Sequence, residues 1–173
     1  MFLKIFRKEK VESIPSGYPS YAAKIFEERL KLTQEQSVQI AKDYLSLLQF
    51  DKGNDFVGLV LNVERDLYSL TQAIIARYGL DKKQAAAASL FFANVATARK
   101  DQLRKRDLGI SSCIWMASTC GLKKGDPNAS HRLLSGQHFD PQVGIRTEEG
   151  YLLPGVAIGC TCIAKSVIPG LEN

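Results

Sequence analysis

Four cysteines and two histidines are the residues of this 173-residue chain with the most chemistry to offer. All six fall between positions 113 and 162: Cys113, Cys120, His131, His138, Cys160 and Cys162. Thiolate and imidazole are preferred donors for zinc, which takes four of them in a tetrahedron when its site is closed and structural. A small module with a thin core gains folding free energy from such a site. Cys160-Thr161-Cys162 lacks the two-residue gap of a zinc knuckle. In an extended strand, however, residues i and i+2 point to one face, so both sulfurs can reach one ion. With His131 from the preceding segment and Cys120 as the fourth donor, the candidate metal site is Cys120, His131, Cys160 and Cys162, and zinc is the candidate ion. The alternative is four small buried side chains, since free cysteine is commonly buried. A disulfide is a third option, although not between Cys160 and Cys162, whose geometry in a strand is poor.

A cysteine with His131 or His138 and a carboxylate such as Asp126 would also supply the parts of a nucleophilic enzyme. No local motif sets a nucleophile at a turn or helix start, so no catalytic residue is assigned. The glycines are scattered as turn residues and form no phosphate cradle. Arg99, Lys100, Arg104, Lys105 and Arg106 make a positive stripe at the end of an expected helix. Such a stripe can contact a phosphate backbone, or simply complement the helix dipole. No aromatic residues alternate with these cations, so stacking on single strands is not indicated. A net charge of +5 permits nucleic acid or an acidic protein surface as partner and requires neither.

The elements that must position these residues divide the chain in three. Residues 1–19 are polar and punctuated by Pro15, Gly17 and Pro19, and read as a poorly packed arm. Residues 20–108 read as a helical region of four antiparallel helices. The first covers about 20–32. The second starts at Thr33, with Gln36 completing a capping box, and buries Val38, Ile40, Ala41, Tyr44, Leu45 and Leu48. The third covers 55–78, with Val57, Val60, Leu61, Leu67, Leu70, Ile74 and Ile75 as its apolar face, and stops at Gly79. The fourth is capped by Asp81 and runs to about Asp107. Residues 109–173 read as a small β-rich module, with a strand over 110–117 and further apolar pieces at 151–153 and 163–168. Asp126 and Pro127 read as a helix N-cap and first helical position, which places His131 one turn in. The fold class expected is α+β. A hydrophobic content of 45% fits a packed globular protein. No apolar run reaches the roughly 20 residues that span a bilayer, and the basic first ten residues lack the core of a secretory signal. Neither a membrane nor a small-molecule substrate is expected as a partner.

Several less common residues recur in a specific order: Gly109, Trp115, Ser118, Asp126, Ser130-His131, Leu134-Ser135-Gly136-Gln137-His138-Phe139, Pro154-Gly155 and Cys160-Thr161-Cys162. In order and approximate spacing, residues 109–173 resemble the C-terminal domain of phage Mu protein F-like minor head (head morphogenesis) proteins. The resemblance implies a structural virion protein, present in few copies near the portal and acting in head assembly and DNA packaging or ejection. It implies portal or capsid proteins as partners, with DNA as a further contact. It also implies a location in the virion head interior, after assembly in the host cytoplasm. It marks His131, Cys160 and Cys162 as metal-binding positions, and Trp115, Asp126, Gly136, Phe139, Pro154 and Gly155 as structural ones. The chain departs from the family at Asn128 and Thr161, where arginines are usual, and at Leu90-Phe91-Phe92, where Arg-Thr-Glu is common. Two rival readings remain beside it. One is a non-specific DNA-binding protein of a prophage or mobile element, using Arg99, Lys100, Arg104, Lys105 and Arg106. The other is a hydrolase or toxin-like enzyme using His131 with a cysteine.

Overall fold

The computed structural model describes residues 18–49, 51, 53–63, 66–126, 128–147, 150–168 and 170. The fold is α+β, a helical region followed by small antiparallel sheets. Most of the expected arm, residues 1–17, lies outside the described residues; helix α1 (Tyr18–Leu30) already includes positions 18 and 19.

Helix starts follow local side-chain chemistry. Thr33 and Gln36 form the expected capping box at the start of α2 (Gln34–Leu48), which satisfies backbone N–H groups that have no partner within the helix. Asp81 and Gln84 do the same for α5 (Lys82–Asp107). Both glutamines also reach across the bundle to cap a second helix end. The Gln36 amide donates to the Tyr78 carbonyl at 3.1 Å, and the Gln84 amide to the Lys31 carbonyl at 3.0 Å.

The single helix expected over 55–78 is two, α3 (Asp55–Val63) and α4 (Leu67–Tyr78). The Asp66 carboxylate accepts from the Ser69 N–H at 3.1 Å and from its hydroxyl at 2.6 Å. A local N-cap of this kind starts a new helix inside a continuous apolar pattern. Val57, Val60, Leu70 and Ile74 are buried as the pattern requires, while Leu67 is exposed. In α2, Ile40, Ala41 and Tyr44 are buried together with Leu47, but Val38 faces outward and polar Ser37 and Asp43 face inward. Phe26, Tyr44, Phe91, Phe92, Phe56 and Tyr78 form a chain of ring contacts through this core, with centroids 5.0–5.8 Å apart.

The module has a three-stranded antiparallel sheet in the order β2-β1-β5, built from β1 (Cys113–Met116), β2 (His138–Phe139) and β5 (Ile163–Ser166). A separate hairpin pairs β3 (Ile145–Thr147) with β4 (Gly150–Leu152). Trp115, paired with Ala164, is fully buried at the centre of a second core with Cys113, Phe139 and Ile145. Gly136 takes φ +85°, a conformation costly for other residues. From there its N–H reaches the Trp115 carbonyl at 2.8 Å, while the Trp115 N–H bonds the Gln137 carbonyl at 2.9 Å.

Candidate metal centre

The four expected metal donors arrive from three different places in the module. Cys120 follows β1 in a turn, and His131 lies in a 3-10 helix (Ala129–Leu134). Cys160 and Cys162 precede β5; they are not in the strand itself, as the i, i+2 argument assumed. The irregular segment just before the strand serves as well as the strand here. The donor atoms of Cys120, His131, Cys160 and Cys162 all lie within 4.8 Å of one another, and all four residues are buried. A tetrahedral ion with zinc–sulfur distances of about 2.3 Å would set its donors about 3.8 Å apart, so the donor set fits a metal ion with little movement. Cys113 and His138 are outside the donor cluster: Cys113 is buried on β1, and His138 is exposed on β2 with Nδ1 3.4 Å from the Ser112 hydroxyl.

The electrostatics of the cluster are those of a thiolate-forming site. Cys160 Sγ lies 3.3 Å from His131 Nδ1. Its pKa is drawn down to about 4, chiefly by a hydrogen bond from the Cys162 thiol; burial opposes the shift, and His131 and backbone N–H groups reinforce it. Cys162 is pushed up in turn, first by Cys160 and then by burial. The Cys162 thiol thus favours the thiolate form of Cys160, and Cys160 in turn disfavours that of Cys162. The Thr161 N–H donates to Cys120 Sγ at 3.4 Å, and hydrogen bonds to metal-ligating sulfurs are a usual outer-shell feature.

Asp126 does not cap a helix. Its carboxylate accepts from the Gly121 N–H at 2.6 Å and the Asn128 N–H at 2.8 Å, which folds the segment between Cys120 and His131 back on itself. These bonds hold the carboxyl below its ordinary pKa. Pro127 lies outside the described residues, and the 3-10 helix starts only at Ala129. Asn128 is buried and donates its side-chain amide to the Ile158 carbonyl at 2.9 Å. Asn128 and Thr161 carry no role that is visible in the sequence alone. Their positions beside ligand residues were the available signal, but which backbone groups they meet is a tertiary matter.

The basic stripe is not presented as a unit. Lys105 is buried; its ammonium pairs with Asp101 and donates to the Ala164 carbonyl at 3.1 Å. Arg99 is half-buried and bonds Gln102. Lys100, Arg104 and Arg106 remain exposed. A cleft of about 500 Å³ separates this part of α5 from the module, with Phe139, Pro141, Leu153, Cys160 and Cys162 among its walls. No helix among the described residues is long and apolar enough to cross a membrane. No protein-family model, curated protein or solved structure matches the chain.

Proposed function

We propose that this chain is a head-assembly protein of the minor head type, whose C-terminal module is held together by one structural zinc ion. The buried convergence of three sulfurs and one imidazole carries the metal part of this reading. Four protein donors complete a tetrahedron, whereas a catalytic zinc keeps one position for water or substrate. The role in assembly draws on the resemblance of residues 109–173 to minor head proteins. The surface around the site suits a protein partner. Leu122 and Leu133 are 61% and 80% exposed, next in sequence to exposed Lys123, Lys124 and Arg132. Large exposed aliphatic groups rimmed by charge are a common mark of an interaction surface.

Protein purified without chelator should carry one zinc per chain by elemental analysis. Chelator should lower its melting temperature. Cys162→Ser should melt at the lower temperature from the start and respond no further to chelator. A metal-free preparation whose melting ignores both zinc and chelator would remove the zinc reading. Mass spectrometry of heads from the source phage tests the assembly role, which predicts a few copies per portal; heads that lack the chain would sink it.

The 3.3 Å contact between Cys160 and His131 also supplies a second reading, a cysteine nucleophile opening on the cleft. The metal reading accounts for Cys120 and Cys162 as well, and a nucleophile would not require them. Under the nucleophile reading, iodoacetamide alkylates Cys160 quickly whether or not zinc is present. Under the metal reading, zinc protects it.

A further inference from the structure

The turn at residues 154–159 belongs to both cores of the molecule. Ile158 packs against the helical core and Ala157 against the core of the module. Its carbonyls receive donors from three distant places. The Tyr44 hydroxyl of α2 donates to the Val156 carbonyl at 2.6 Å. The Asn128 amide and the Arg29 guanidinium of α1 both donate to the Ile158 carbonyl. Gly155, at φ +80°, lies against α5, where a Cβ would meet that of Ala98 at 3.4 Å. The turn closes with the Cys160 N–H on the Ala157 carbonyl at 2.9 Å. Cys160 and Cys162 thus hang from a turn whose place is set by α1, α2, α5 and the segment that carries His131.

We propose that Tyr44, Arg29 and Asn128 are positioning residues of the metal centre, so that metal loading and docking of the helical region onto the module are coupled. The proposal rests on the zinc reading of the cluster. Zinc tolerates little spread around its ligand distances of about 2.0–2.3 Å, so a turn that drifts takes two of the four donors out of range together. Outer-shell partners typically shift metal affinity by about 10- to 100-fold. Coupling between two equilibria is reciprocal: if docking strengthens zinc binding, zinc must strengthen docking. Tyr44 is therefore a metal-affinity residue although it belongs to a helical core and touches no ligand.

The test uses the full chain with Tyr44→Phe, Asn128→Ala, Arg29→Ala and Arg29→Lys. Tyr44→Phe keeps the ring packed against Phe26 and Phe91 and removes only the hydroxyl. Zinc affinity is read by competition with a chromophoric chelator, and ligand geometry by the thiolate-to-cobalt absorption of the cobalt(II) form. Tyr44→Phe, Asn128→Ala and Arg29→Ala should each weaken zinc by about 10-fold or more, and Arg29→Lys should recover part of the loss. Hydrogen exchange of the unaltered chain should show amides in α1 and α2 better protected with zinc than without. Tight zinc binding by the chain and all variants alike, or exchange in α1 and α2 indifferent to zinc, would overturn the coupling and leave the zinc reading standing. An unaltered chain that binds no zinc would overturn both.

Discussion

Asp43 is ionised inside the helical core because four donor groups hold it there. Its side chain is 3% exposed. It accepts from Arg77 at 2.7 and 2.9 Å, from the Tyr78 hydroxyl at 2.6 Å and from Asn54 at 2.9 Å. Burial opposes the charge, but these bonds outweigh it and hold the carboxyl below its ordinary pKa. A carboxyl whose folded pKa is depressed adds stability that is fully present above its unfolded pKa. That contribution is lost as pH falls through the folded value. Urea unfolding at neutral pH and near pH 3 should therefore show a steeper acid loss in the unaltered chain than in Asp43→Asn. At neutral pH Asp43→Ala should cost about 3 kcal/mol, the lower end for a broken buried pair, because Arg77 is 35% exposed and can turn to water. Trp115 offers a second contrast. It is fully buried, and truncating such a ring to Ala costs about 3–5 kcal/mol. Its indole N–H, however, finds no hydrogen-bond partner among the described residues, and an unsatisfied buried donor itself costs about 1–3 kcal/mol. Trp115→Phe should keep most of the stability that Trp115→Ala loses; equal losses in thermal melts would show that the N–H is satisfied.

At the scale of elements, α5 is the spine shared by both halves. Its first part buries Phe92 and Val95 in the helical core. Farther along, Gln102 and Gln142 exchange amide–carbonyl bonds at 3.3 and 3.2 Å, and Lys105 reaches β5. Its cations therefore divide into structural and surface groups. Lys105→Ala should lower the melting temperature by leaving the half-buried Ala164 carbonyl without its Lys105 donor, a loss of about 1 kcal/mol. Charge reversal at Lys100 and Arg104 should leave melting unchanged. If duplex DNA is a contact, the same double variant should weaken binding at low salt and flatten the salt dependence; identical binding isotherms would exclude this helix end. The β3–β4 hairpin has its own weak point at Gly144, where φ is +93° and an added Cβ would lie 2.6 Å from the Leu152 carbonyl oxygen. Gly144→Ala should cost more than about 1 kcal/mol, read from the shift in the urea midpoint.

For the whole molecule, two cores of unequal size share one chain. Among the described residues the helical core contains six aromatic rings, whereas the module relies on Trp115, Phe139, Ile145 and buried cysteines. Chelator should therefore raise hydrogen exchange most in β1, β2 and β5 and least in the middle of α5, near Phe92 and Val95. Uniform acceleration along the chain would mean that the two cores unfold as a single unit.

The helix starts at Thr33 and Asp81, the stop at Gly79 and the burial of Trp115 were legible in the sequence, because capping and apolar periodicity act over a few residues. So was the identity of the four candidate donors, since thiolate and imidazole carry their chemistry wherever they stand. The break at Asp66 was hidden by an apolar pattern that continues across it. The withdrawal of Lys105 from the surface, the inward turn of Asp43 and the second role of the capping glutamines were not legible either. Each depends on a partner brought close by folding: Ala164 for Lys105, Arg77 for Asp43, Lys31 and Tyr78 for the glutamines. The same holds for the Arg29 and Tyr44 donors to residues 154–159, which come from α1 and α2 more than a hundred residues earlier in the chain. Local chemistry determined which side chains could ligate a metal. Whether they meet was decided by long-range packing, because a buried carbonyl takes whatever donor the fold brings within reach.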